Sequence, residues 1–186
     1  MWQKTLAIIF FFYLFSLLQT SFFAHFNLFG TIPNLVFILF FLLVFFSAGV
    51  PSGSGLAFGW EGIFYALVAG IFLDIFSYTY IGPSIIFLLI IGFLLKKTQS
   101  LLKNREDSYP FIYFLPLFVI FFLAYDLSCG FYFYFFGLNK IAITLGTQTI
   151  FSVIYNALIA SVLFYIYKKI ESRIAGRKPC PLCSSK

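Results

Sequence analysis

The stretch "AGIFLDIFS", residues 69–77, sets one carboxylate, Asp74, among Ile, Leu, Phe and Gly. Whether it belongs to a core in water or a span in lipid decides the fold, and the rest of the chain supplies the answer. Its 186 residues are 62% hydrophobic and 24% aromatic, and only 10% are charged. A soluble domain carries about 25% charged residues. The 30 phenylalanines would also leave large apolar patches against water. The surrounding solvent is therefore lipid, and Asp74 is an intramembrane acid. At mid-helix such a residue costs about 2.5–3.5 kcal/mol on insertion scales, so it faces a protein interior or a cavity.

Six segments are long enough to cross a bilayer, which takes about 20 mostly apolar residues. They cover about 5–24, 34–50, 62–80, 82–97, 110–136 and 144–168. They are too long and unbroken for barrel strands, and in hydrocarbon the remaining option is the helix. The first segment reads as a retained span, not a cleaved signal. The expected fold is an all-α integral membrane protein, a six-transmembrane-helix bundle over 1–172. A short basic tail, 173–186, follows it.

Charge sets the orientation. Of the 12 Lys and Arg residues, all but Lys140 fall on one side when six spans are drawn. By the positive-inside rule that side is the cytoplasm, and both termini lie there. The formal net charge of +6 then sits at the inner leaflet. It implies contact with anionic lipid, not nucleic acid.

Asp74 stands on a stripe. Gly62, Ala66, Gly70 and Asp74 are four residues apart, which puts them on one helix face. Small residues at this spacing let helix backbones approach closely. Asp126, in "AYDLSCG", repeats the theme in the fifth span, and Gln148, Ser152 and Asn156 run along the sixth. These five polar residues are expected to form a buried cluster in the outer half of the bundle, or a face for partner docking. A packing clamp is the bland reading of Asp74, and a proton or solute pathway is the sharpest one.

Other motifs carry less. "CPLC" places Cys180 and Cys183 in the tail, half of what a four-cysteine zinc site needs, so free thiols are the expectation. "PSGSGLAFG" (51–59) has no GK[ST] and is not a phosphate loop. His25, the only histidine, has no catalytic neighbours in the sequence, and Glu61 suits the start of the third span. No catalytic triad or metal cluster can be read, so neither enzyme activity nor a cofactor is expected.

"IPNLVFILFFLLVFF" (32–46), "ALVAGIFLDIFSYTYIG" (66–82), "FLAYDLSCGFYF" (122–133) and "VIYNALIASVLFYIYKKI" (153–170) follow in order. Together they make the chain similar to the rod shape-determining MreD family. Pro33 and Asn34 match the opening of that family's second span, and Gly70, Asp74 and Gly82 its third-span motif. Asp126 matches the acid of the fifth span. Asn156, Lys168 and Lys169 match the polar position and basic end of the last span. The resemblance implies a fold like the substrate-binding S-component of energy-coupling-factor transporters. It implies a non-enzymatic scaffold of the cell-elongation complex in the bacterial cytoplasmic membrane, supporting lateral peptidoglycan synthesis. Its partners would be an MreC-like single-span protein and, through it, wall synthases and MreB-like filaments. The alternative is a solute-binding transporter subunit with Asp74, Asp126 and Asn156 lining a pocket. Against that, the first span, "TLAIIFFFYLFSLLQTSF", lacks an Ala-x-x-x-Ala docking motif.

Overall fold

The computed structural model describes residues 2–25, 30–47, 59–76, 81–102, 110–136 and 147–175. They form six helices in chain order: α1 (Trp2–Leu17), α2 (Leu35–Phe46), α3 (Trp60–Phe76), α4 (Pro83–Leu102), α5 (Pro110–Phe135) and α6 (Thr147–Ala175). A single π turn, Leu18–Phe22, extends α1. Four stretches are long and apolar enough to cross a bilayer: Trp2–Phe22, Pro83–Leu101, Ile112–Tyr132 and Gln148–Ile170. That is the pattern of a multi-pass membrane protein.

Within the described residues α2 and α3 cover less than a full span. α2 has 12 residues and α3 has 17, against the roughly 20 of a full span. The expected segments 34–50 and 62–80 reach into residues 48–50 and 77–80, which lie outside the described residues. α4 and α6, by contrast, run past their expected ends at 97 and 168. α6 therefore carries helix across the boundary drawn at 172.

α2 is the centre of the bundle. Nine of its 12 residues are buried. It touches α1, α3, α4 and α6, and its rings meet those of α5. Phe37 lies 5.4 Å from Phe122 and 5.0 Å from Tyr125. Phe41 lies 5.6 Å from Phe114 and 5.2 Å from Phe118. Moving Phe from lipid to protein gains little hydrophobic energy, because lipid tails are as apolar as the core. The gain lies in dispersion and in edge-to-face ring geometry, worth about 0.5–1.5 kcal/mol a pair. A helix apolar all round belongs at the centre of such a packing.

α3 and α4 form the most extensive pair. The stripe Gly62, Ala66, Gly70 and Asp74 is buried, while Leu67, Ile71 and Ile75 on the other face are exposed. A Cβ built on Gly70 would stand 2.6 Å from the Cα of Ile85 in α4. The two backbones are therefore in contact at that point, and only a glycine fits.

Candidate functional site

The polar residues singled out in the sequence resolve into clamps that close one helix onto another. Asp74 is 1% exposed and sits in the last turn of α3, against the start of α4. The N–H of Gly82 donates to its Oδ2 at 2.6 Å, and the N–H of Ser84 donates to Oδ1 at 3.2 Å. The first N–H groups of a helix have no partner within it. In hydrocarbon no water replaces one. Asp74 supplies the missing acceptor, at the helix end where the dipole favours an acidic side chain.

Gly82 has a different task from the expected packing. Its φ is +132°, and a Cβ there would meet nothing within 4 Å. The position needs glycine for its backbone conformation, which turns the chain into α4. From Asp74 the network continues inward. The Ser84 hydroxyl lies 3.2 Å from the Tyr125 hydroxyl of α5, and both residues are buried. Cys129 lies one turn beyond Tyr125 on the same helix, partly buried.

The second clamp holds the start of α2. Asn34 caps its own helix: its Oδ1 accepts from the N–H of Phe37 at 3.0 Å. Its own N–H donates to Oδ1 of Asn156 at 2.7 Å. Asn156 is fully buried, and its Nδ2 donates to the Ser152 carbonyl at 2.8 Å. The Ser152 hydroxyl is a longer contact at 3.4 Å. Gln19, in the π turn, accepts from the N–H of Val36 at 3.4 Å. Buried Pro33 precedes Asn34 and disfavours helix before it. Thus the Pro-Asn pair and Asn156, widely separated in sequence, form one helix start.

The third clamp lies at the other end of α2. Gln99 of α4 is buried, and its Nε2 donates to the Phe45 carbonyl at 3.2 Å. Its Oε1 is buried without a partner. Lys96, one turn earlier, is also buried.

Two expected members of the buried cluster are not in it. Asp126 is exposed on α5. Its neighbour Tyr125 takes the inward position, and the next residue turns about 100° around the helix, away from the core. Gln148 is exposed as well, in the first turn of α6 with its amide beside Gly30. The single cluster is thus replaced by two clamps at one end of the bundle and an outward-facing acid. Cys180 and Cys183 lie outside the described residues.

Sequence reading passed over Ser84, Tyr125, Gln19 and Gln99, and used Lys96 only as an orienting charge. The signal for Ser84 was legible: Gly82-Pro83-Ser84 is a helix start, with proline in the first turn. Gln19 and Gln99 look like ordinary polar residues near helix ends until their partners are known. Set against known proteins, the chain matches no family model, no curated protein and no solved structure.

Proposed function

We propose that this chain is a non-enzymatic membrane scaffold of the bacterial cell-elongation machinery. It docks an MreC-like single-span protein and, through it, wall synthases and MreB-like filaments. The reading rests on the ordered resemblance to the MreD family: Pro33-Asn34, Gly70, Asp74, Gly82, Asp126 and Asn156. It includes six spans, both termini in the cytoplasm of a bacterial inner membrane, and an S-component-like bundle.

The observation that carries the choice of scaffold is the capping of α4 by Asp74. The solute-binding alternative needs Asp74, Asp126 and Asn156 to line one pocket. Here the carboxylate of Asp74 is engaged by two backbone N–H groups. Asn156 holds the start of α2, and Asp126 faces outward. Residues that fix helix register favour a body whose work is done on its surface.

The test is a mild-detergent purification of the tagged protein from its native membrane, read by mass spectrometry. A single-span protein with a periplasmic coiled coil, recovered with wall synthases, is the expected outcome. Recovery of a membrane coupling subunit with paired ATPases would replace the scaffold with the transporter.

A further inference from the structure

We infer that the α5 face carrying Asp126 and Gly130 is the seam for one transmembrane helix of a partner protein, and that this helix presents Lys or Arg at the depth of Asp126. The inference rests on the docking role proposed above and names the surface and its chemistry.

Asp126 lies six residues inside the end of the apolar stretch Ile112–Tyr132, about 9 Å along the helix. It is exposed, and among the described residues it makes no hydrogen bond or ion pair. The adjacent donor is committed elsewhere, since the Ser128 hydroxyl turns back to the Ala124 carbonyl at 2.7 Å. An acid facing lipid is costly and gains from any donor that reaches it. One turn further, a Cβ on Gly130 would meet nothing within 4 Å. Asp126 and Gly130 are spaced i, i+4 on one face, so the acid stands beside an open notch. Small residues at this spacing admit a second helix closely. Within hydrocarbon, the lipid-facing object that can fill a notch while satisfying its own backbone is a helix.

A two-fold contact between copies of this chain does not fit this seam, and Lys140 lies outside the described residues. Among the described residues with placed side chains, the lysines sit at the opposite end of the bundle. Lys4 opens α1, Lys96 and Lys97 close α4, and Lys168 and Lys169 lie late in α6. A two-fold contact would also set Asp126 against its own copy, carboxylate to carboxylate. Charge complementarity therefore points to a foreign helix with a basic residue at this level.

The experiment uses the full-length protein in its native membrane. A photo-reactive amino acid replaces Leu127, next to the seam, or Ile90 on the exposed face of α4 as a control. In parallel, Asp126→Lys and Asp126→Leu are purified with their partners. Three results are expected. The Leu127 probe captures one transmembrane protein that the Ile90 probe does not. Asp126→Lys lowers its co-purification by about tenfold or more, with thermal stability in detergent unchanged. Changing the captured helix's Lys or Arg to Asp then restores binding to Asp126→Lys. Wild-type co-purification by both Asp126 variants overturns the seam and leaves the scaffold standing. Capture of a second copy alone, or of a helix with no basic residue at that depth, also overturns it. Failure of the unmutated protein to bring down any membrane partner overturns the scaffold and the seam together.

Discussion

Asp74 accepts from two different N–H groups of α4, one on each oxygen, so its substitutions should be graded. Asn has the same shape but one acceptor oxygen. Its NH2 would face an N–H, donor against donor, in a site 1% exposed. A buried donor left without a partner costs about 1–3 kcal/mol, and Asp74→Asn should lose that much. Asp74→Leu leaves both N–H groups unpaired and should cost about twice as much. The check is the apparent melting temperature of the purified protein in detergent, with SDS-induced unfolding as a second probe. Equal stability of wild type, Asn and Leu variants would remove the clamp from the account. A packing clamp held by shape alone makes Asp74→Asn mild. The two separate N–H donors make it harmful.

The α3–α4 contact and the two ends of α2 carry the element-scale consequences. At Gly70 the obstacle to a side chain is the backbone of Ile85, not merely its side chain. Gly70→Ala should force the helices apart at a cost of about 1–3 kcal/mol, the range for overpacking. Adding Ile85→Ala should not restore the loss, because the Cα remains in the way. Recovery of the melting temperature in the double variant would show that the side chain alone set the clash. The two remote caps of α2 should differ. Asn156→Leu leaves the N–H of Asn34 unpaired and should cost about 1–3 kcal/mol. Gln99→Leu removes a donor from the Phe45 carbonyl, but that carbonyl also accepts from the N–H of Ser47. It also removes the unpartnered Oε1. That change should be nearly neutral, within about 0.5 kcal/mol or slightly stabilising. The stripe through Gly70 was legible in the sequence because four-residue spacing needs no partner to be seen. Asp126 was not placed correctly because α5 is apolar on every side. In lipid both the inner and the outer face are apolar, so periodicity does not say which way an acid points. The clamps at Asn34 and Gln99 were hidden for another reason: each joins residues far apart in the chain, and spacing carries no trace of the pairing.

At the scale of the whole molecule, the question is whether α2, with 12 helical residues, crosses the bilayer beside the long helices. The end of α2 reaches the level of late α4 and of the last apolar turns of α6. Gln99 binds the Phe45 carbonyl, and the Phe46 ring stacks on Tyr167 at 3.9 Å between centroids. The start of α3 lies at this end too, since its last turn meets the start of α4 and the two helices pack side by side. At the other end, α2 begins beside Gln19 of the π turn and Asn156 of α6. α2 thus joins the two levels between which the long helices run, although its 12 helical residues cover only about 18 Å. Accessibility tests whether that traverse crosses the membrane. In a chain with Cys129, Cys180 and Cys183 changed to Ser, single cysteines are placed at exposed positions: His25→Cys after α1, Trp60→Cys at the start of α3, and Lys97→Cys late in α4. A membrane-impermeant maleimide should label His25→Cys in intact cells. Trp60→Cys and Lys97→Cys should react only after permeabilisation, by the positive-inside rule. Trp60 is the deciding position, because Lys97 falls on the same side whether α2 and α3 both cross or neither does. Labelling of Trp60→Cys together with His25→Cys would mean that α2 turns back before reaching the far side. The bundle would then have four spans, with its most buried helix re-entrant, a course allowed at membrane depth only where protein surrounds the segment.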